Sequence, residues 1–137
     1  MKNILLCWDG SESAVRAFDF AVDLATRFGA ALQVVAVARP PDVPDDVETE
    51  AMIERSRDHF ASDFRSLGAK AGAAGVAMKP EVLVGHPAQR IVDYAESHGI
   101  DHIVLGHRGK TLFDRWKLGS VSRQVIHYAH CTTTVVR

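Results

Sequence analysis

The sequence alternates between short apolar runs and longer segments whose apolar residues recur at helical spacing. A short, nearly continuous apolar run such as "NILLCW" or "ALQVVAVA" is typical of a strand that is buried on both faces of a parallel sheet. Five such strands and four intervening helices are predicted. The alternation therefore predicts one α/β domain over residues 1–137, a parallel sheet with helices on both faces and right-handed crossovers.

The boundaries of these elements follow from apolar spacing and from turn residues. Gly29 is placed to end the first helix and Pro87 to begin the third, whereas the Pro-rich stretch Arg39–Glu50 is expected to be a loop. In the last helix Val121 and Val125 are predicted to face inward, with Tyr128 as a third candidate. The predicted strands are 3–8, 31–38, 79–85, 101–106 and 132–137, and the helices are 14–28, 47–73, 88–98 and 119–129.

Composition argues against several classes of protein. Hydrophobic residues make up 47% of the chain and the formal net charge is -1, which does not favour binding to nucleic acid or to an anionic membrane surface. No apolar run approaches the ~20 residues of a membrane span. The N-terminal run meets Asp9 too early for a signal peptide. We therefore expect a cytoplasmic protein in which Cys7 and Cys131 are reduced thiols.

The predicted topology indicates where a ligand would bind. In open parallel sheets, ligands bind beyond the carboxyl ends of the strands, at the point where the strand order reverses. The candidate positions therefore lie just after Trp8, Val37 and Leu105.

The stretch "GHRGKTLFDRWKLGSVS", residues 106–122, follows the fourth predicted strand. Gly106 would allow a ligand to approach the backbone, and Gly109 can adopt positive φ, which turns successive N–H groups toward an anion. Gly119 and Ser120 stand at a helix start, where the first N–H groups lack intrahelical partners and the dipole favours negative charge. The Ser120 hydroxyl can cap this helix or donate to a phosphate oxygen.

The same stretch carries a local charge of +3 in a chain that is slightly acidic overall, because its charged residues are Arg108, Lys110, Asp114, Arg115 and Lys117. Such enrichment attracts a polyanion. Neither a P-loop motif nor G-x-G-x-x-G occurs. From spacing alone, an anion site and a plain linker with two turn glycines and a serine N-cap are equally supported.

Residues 101–137 resemble the C-terminal third of universal stress proteins. The signature of the ATP-binding branch of that family is G-x2-G-x9-G-[ST], and Gly106, Gly109, Gly119 and Ser120 match it in full. The resemblance extends over the whole chain, since "NILLCWDGSESAVRAFDFAVDLA" is similar to the family's first strand, turn and helix, and "VLVGHPAQRIVDYAESHGIDHIVLG" to its third strand, the helix after it and the fourth strand.

The resemblance implies a flavodoxin-like, Rossmann-like domain with five parallel strands in the order 3-2-1-4-5, usually dimeric through the C-terminal edge strand. It also implies a stress-response or signalling module that binds ATP, accompanied by Mg²⁺, with little turnover. Asp9 would contact the ribose, Val37 and Leu105 the adenine, and Gly106 would approach the ribose. The phosphates would be held by Gly109, Gly119, Ser120, Val121 and Ser122.

The sequence departs from the family pattern at Cys7 and Trp8, because family members commonly have a small polar residue at the second of these two positions. It also lacks the Cys-Pro that is common in the family near the last strand. Trp8 could crowd or stack on the adenosine. Two other functions stay open: a slow ATPase or ATP-dependent transferase, and a dimeric interaction protein that uses no nucleotide.

Other candidate residues have simpler interpretations. Asp9 or Ser11 is expected to cap the first helix. His127 and His130, or His102 and His107, could be considered for a metal site, but no carboxylate or cysteine cluster completes a typical ligand set, so structural roles are favoured. Cys7 is expected to be a buried apolar residue, because no general base stands beside it.

Overall fold

A computed structural model describes residues 1–40, 46–108 and 118–137. The strands are parallel, and each helix lies between two consecutive strands. The strands are β1 (Asn3–Cys7), β2 (Ala31–Ala38), β3 (Met78–Val84), β4 (His102–Gly106) and β5 (Thr132–Val136). The helices are α1 (Glu12–Phe28), α2 (Asp46–Ala73), α3 (Pro87–Ser97) and α4 (Ser120–Tyr128).

The strand order across the sheet is β3-β2-β1-β4-β5, which confirms the predicted topology. The first crossovers lead from β1 through β2 to β3, and the chain then returns to the other side of β1 to form β4. The reversal of strand order therefore occurs at β1 and β4. In this class of fold, the crevice at such a reversal is where ligands bind.

Alternate residues of the strands feed two apolar clusters, one on each face of the sheet. Ile4 and Leu6 of β1 pack with residues of α1 and α2, whereas Leu5 packs on the opposite face with residues of α3 and α4. Phe18 of α1 is fully buried in the first cluster, and Val125 of α4 is fully buried in the second. Burial on both faces explains why β1 reads as a continuous apolar run.

Local signals in the sequence set several helix ends. The Ser11 hydroxyl accepts a 3.1 Å hydrogen bond from the Ala14 N–H and so caps α1, which ends at Gly29 in the left-handed conformation at φ 62°. Pro87 occupies the first position of α3, where its missing N–H removes no helical hydrogen bond.

A few boundaries and orientations differ from the sequence-based prediction. β1 ends at Cys7, so Trp8 follows the strand. α2 begins at Asp46, one residue before the predicted helix start, so the helix includes the last residues of the Pro-rich stretch Arg39–Glu50 that was expected to be a loop. Tyr128 is 60% exposed, because it lies on the outer side of the last turn of α4, while Val125 points inward. The remainder of the predicted Pro-rich loop, residues 41–45, lies outside the described residues.

Across residues 1–40, 46–108 and 118–137, no helix combines the length and the apolar character needed to cross a membrane.

Candidate functional site

A cavity of about 470 Å³ opens at the carboxyl ends of β1, β2 and β4. Eight of the nine residues predicted to bind a nucleotide line it, and the ninth, Gly109, lies outside the described residues together with the rest of the basic stretch 109–117. The eight are Asp9, Val37, Leu105, Gly106, Gly119, Ser120, Val121 and Ser122. The fold thus gathers into one cavity residues that the sequence separates by as many as 113 positions.

The turn after β1 presents a carboxylate at the cavity. Asp9 is exposed, and its Oδ1 accepts a 2.9 Å hydrogen bond from the Ser11 N–H across Gly10, which has φ 79°. Ser11, rather than Asp9, caps α1. Asp9 is therefore held in place by the turn without serving as the helix cap, and a carboxylate held in this way can accept hydrogen bonds from hydroxyl groups of a ligand.

Gly106 ends β4 and lies against the first turn of α1. A β-carbon at this position would lie 2.9 Å from the Cβ and the carbonyl carbon of Ser13 and still closer to its hydroxyl oxygen. The Ser13 hydroxyl also donates a 2.7 Å hydrogen bond to the carbonyl of Arg108. A glycine is therefore required here by the close packing of α1 on β4, a reason that differs from the ligand approach expected from sequence.

The start of α4 is fixed to the end of β4 by backbone and side-chain hydrogen bonds. The Gly119 N–H donates to the His107 carbonyl at 2.7 Å, and the Ser122 hydroxyl donates to the Gly106 carbonyl at 2.7 Å. Gly119 occupies the N-cap position, so Ser120 is the first helical residue and does not cap the helix. The N–H groups at the start of an α-helix have no intrahelical acceptor and are suited to binding an anion.

Arg108 lines the same cavity next to the start of α4. Its Nε and Nη1 atoms are buried and find no hydrogen-bond partner among the residues that the structure describes. Burial lowers the pKa of the neighbouring His107, and the positive charge of Arg108 lowers it further. Guanidinium donors that are shielded from water and unused are stabilised by hydrogen bonds to a carboxylate or a phosphate.

Other residues that line the cavity are apolar or aromatic. Val37 of β2 and Ile91 of α3 line it, and so do His59 and Phe60 of α2. In the sequence, Phe60 belongs to the apolar stripe of the second predicted helix, whereas nothing marks His59. The helical spacing does place Phe60 on the inner face, but it does not indicate that this turn of α2 reaches the carboxyl end of the sheet.

Trp8 also lines the cavity and is 8% exposed. Its indole N–H donates a 3.0 Å hydrogen bond to Asp63 Oδ2 of α2, and its backbone N–H donates to the Val35 carbonyl at 2.8 Å. The side chain is thus anchored by a specific partner, which the sequence could not reveal because the two residues are 55 positions apart.

The cysteine and histidine residues of the described segments do not form a metal site. Burial raises the pKa of the Cys7 thiol, and the nearby Asp9 carboxylate raises it further, so little of the reactive thiolate forms at neutral pH. His130 contacts Glu96 at 2.9 Å and His102 bonds to the Thr134 hydroxyl oxygen at 2.7 Å. Within these segments, no three His, Cys, Asp or Glu side chains come together in a way that could hold a metal ion.

Comparison with known proteins identifies the family. The sequence model of the universal stress protein family matches residues 1–137. This chain is a member of the universal stress protein family. Among its relatives, the universal stress protein MJ0531 of Methanocaldococcus jannaschii is 34% identical over 139 residues, which cover 99% of this chain and 82% of that protein.

Solved structures of universal stress proteins share the architecture. UspA from Lactobacillus plantarum superposes with a TM-score of 0.89 at 30% identity, covering 99% of this chain and 97% of that one. A universal stress protein crystallised in complex with cAMP superposes with a TM-score of 0.77 at 24% identity, covering 99% of this chain and 97% of that one. The second likeness concerns the fold alone.

Proposed function

We propose that this universal stress protein binds ATP in the 470 Å³ cavity and acts as a stress-response or signalling module with little or no ATP turnover. The observation that carries the proposal is the convergence on one cavity of helix-start donors, two buried Arg108 donors that have no hydrogen-bond partner among the described residues, and apolar lining residues. A nucleotide has matching parts, because its phosphates are anionic, its sugar carries hydroxyl groups and its base is flat and largely apolar on its faces.

The anionic end of the ligand would lie at the junction of β4 and α4. The backbone N–H groups of Ser120, Val121 and Ser122 belong to the first turn of α4, and the Ser120 side chain is exposed and available to donate. Arg108 adds a full positive charge at the same junction. Since the Ser122 hydroxyl already donates to Gly106, Ser122 would contribute only its backbone N–H to the phosphates. Gly109 belongs to the proposed site by resemblance to the family motif.

The nucleoside would occupy the part of the cavity nearer β1 and β2. The Asp9 carboxylate would accept hydrogen bonds from the ribose hydroxyls, while Val37 and Leu105 would contact the adenine. A universal stress protein of the same fold was itself crystallised with cAMP, an adenine nucleotide.

Mg²⁺ would arrive with the nucleotide. This ion is commonly bound through substrate phosphates and one or two carboxylates, with water completing the shell. Asp9 is a carboxylate among the described residues of the cavity, and one of its oxygens already accepts from Ser11. We therefore assign the ion to the phosphates of ATP rather than to a dedicated protein site.

The proposal extends to assembly and location. β5 lies at the edge of the sheet with β4 as its neighbour, and its β-branched residues are suited to pairing with another strand. We propose a cytoplasmic homodimer of 137-residue domains formed through β5, whose protein partner in signalling would recognise the nucleotide-bound form.

Calorimetry with the purified chain tests binding, and phosphate release tests turnover. ATP should bind with micromolar or tighter affinity, and Gly119→Val should abolish binding while the melting temperature changes little, since a side chain would fill the start of α4. Steady phosphate release that Gly119→Val removes would instead indicate a slow ATPase. Partner binding without any effect of nucleotide would indicate an interaction protein.

A further inference from the structure

The hydrogen bond between Trp8 and Asp63 joins α2 to the end of the central strand. The Trp8 indole is nearly buried, and its N–H donates to a carboxylate oxygen, which is the stronger, charge-assisted kind of hydrogen bond. Trp8 itself is fixed to the sheet, because its backbone N–H donates to Val35 of β2. The position of the Asp63 turn of α2 relative to β1 is thereby defined.

That turn carries the two α2 residues that line the cavity. His59 and Phe60 precede Asp63 by four and three residues, so all three side chains lie on one face of the helix. The rings of His59 and Phe60 meet edge to face with centroids 4.9 Å apart, and the Phe60 ring stacks on Phe64 at 6.1 Å. A change in the Trp8–Asp63 contact would therefore move the aromatic wall of the cavity.

The other contacts of this part of α2 with the sheet are apolar. All of α2 is described, and its only buried residues are Leu67 and Ala71, which follow Asp63 by one and two turns. Phe60 and Phe64 are partly buried and pack against the apolar cluster. The contact with Trp8 is thus the polar anchor nearest to the cavity-lining turn.

The topology places this wall away from the anion-binding end. β2 and β4 flank β1 on opposite sides, α2 packs against β2 and β3, and the Arg108 and α4 donors follow β4. A ligand that reaches both ends would present its charged groups toward β4 and its least polar part toward β2 and α2.

We infer that α2 supplies a base-binding wall, in which Phe60 and His59 contact the purine of the bound nucleotide and Trp8 acts as a positioning residue through Asp63. This inference rests on the proposed function. The Phe60 ring offers apolar area to the face or edge of the base, and the His59 ring nitrogens can exchange hydrogen bonds with polar atoms of the base edge.

Comparing two ligands separates base binding by α2 from a general effect of the substitutions on the cavity. ATP carries phosphates, sugar and base, whereas inorganic triphosphate carries only the phosphates. Asp63→Ala should weaken ATP binding about tenfold, equivalent to roughly 1.4 kcal/mol, and leave the affinity for triphosphate within about twofold. Asp63→Asn keeps an acceptor oxygen for the indole and should restore ATP binding to near the wild-type value.

Further variants keep the test independent of the stability of Asp63→Ala. Trp8→Phe removes the indole donor while keeping an aromatic ring, and should also lower the affinity for ATP but not for triphosphate. His59→Ala removes an exposed side chain and should weaken ATP binding severalfold, whereas Arg57→Ala, on an exposed residue outside the cavity lining, should not. All variants are measured by calorimetry on the full chain.

The outcomes separate a failure of base binding by α2 from a failure of nucleotide binding by the cavity. If Asp63→Ala and Trp8→Phe weaken ATP and triphosphate equally, or weaken neither, α2 is not a base-binding wall. If the wild-type protein binds triphosphate as tightly as ATP, the wall is likewise overturned while the anion site stands. If the wild-type protein binds neither ligand, the proposed function itself fails and the inference fails with it.

Discussion

The Ser122 hydroxyl donates a 2.7 Å hydrogen bond to the carbonyl of Gly106, which joins the first turn of α4 to the last residue of β4. Ser122 and Gly106 were both predicted to contact the ligand, but the Ser122 hydroxyl and the Gly106 carbonyl are hydrogen-bonded to each other. Ser120, two residues earlier, is exposed at the start of the helix. The two serines therefore have separable roles, one in structure and one in ligand binding.

Alanine substitutions should separate those roles. Ser122→Ala leaves the Gly106 carbonyl without its donor and should lower the free energy of unfolding by about 1–2 kcal/mol. Ser120→Ala should leave stability within about 0.5 kcal/mol and weaken ATP binding severalfold. Urea denaturation and calorimetry measure the two effects. A large loss of stability in Ser120→Ala and none in Ser122→Ala would contradict the assignment.

Arg108 is expected to bind ligands that carry phosphates and to have no effect on ligands that lack them. Arg108→Gln removes the positive charge and should weaken ATP binding by at least about tenfold, since hydrogen bonds to charged groups contribute roughly 1.5–3 kcal/mol. Adenosine, which has no phosphate, should bind Arg108→Gln and the wild-type protein equally. The matched control is Arg27→Gln, in the last turn of α1 and outside the cavity lining. Equal losses for ATP and adenosine would rule out phosphate binding by Arg108.

Glycine-to-alanine substitutions at two positions should have opposite effects. Gly106→Ala would force its new methyl group against Ser13 and should destabilise the fold by about 1–3 kcal/mol. Gly68→Ala in α2 meets only the Met78 methyl group at an ordinary 3.8 Å and should stabilise the fold by roughly 0.5–1 kcal/mol. Thermal and urea denaturation measure both. A neutral Gly106→Ala would show that α1 can shift away from β4.

Stability should decline in mild acid. Burial lowers the pKa of His102 below its ordinary value of 6.5, although the Asp101 carboxylate partly opposes this shift. As pH falls below 6.5, the unfolded chain therefore takes up a proton that the folded chain resists, so the free energy of unfolding decreases. The pKa of His107 is lowered in the same direction.

Urea denaturation between pH 7.5 and 5 measures this decline. The uptake of one proton changes the free energy of unfolding by at most about 1.4 kcal/mol per pH unit. His102→Gln should make the free energy of unfolding depend less steeply on pH. An identical slope in His102→Gln and the wild-type protein would exclude His102 as a source.

The alternation of apolar runs and helical segments was sufficient to predict the α/β class, whereas the strand order and the roles of the individual site residues came from the resemblance to universal stress proteins. Buried strands read as apolar runs, and the glycine motif carries the β4–α4 junction within fifteen residues. The carboxyl ends of parallel strands lie at one edge of the sheet, so Asp9, Val37 and Leu105 could be assigned to one site without coordinates.

The contribution of α2 could not be predicted in the same way. Whether His59 reaches the cavity depends on how α2 is tilted and how it is positioned along the sheet. The apolar stripe of α2 does not determine either of these. The Trp8–Asp63 hydrogen bond is a long-range contact between two residues that have no shared motif. Likewise, the buried donors of Arg108 are a property of packing, whereas the sequence shows only that this residue is basic.

Calorimetric titration of the wild-type chain and of Arg108→Gln with Mg²⁺-ATP measures whether the cavity binds a nucleotide. We expect one site per chain with micromolar or tighter affinity in the wild-type protein, and an affinity at least about tenfold weaker in Arg108→Gln. Absence of detectable binding to the wild-type chain at millimolar ATP would contradict the claim that this cavity is a nucleotide site.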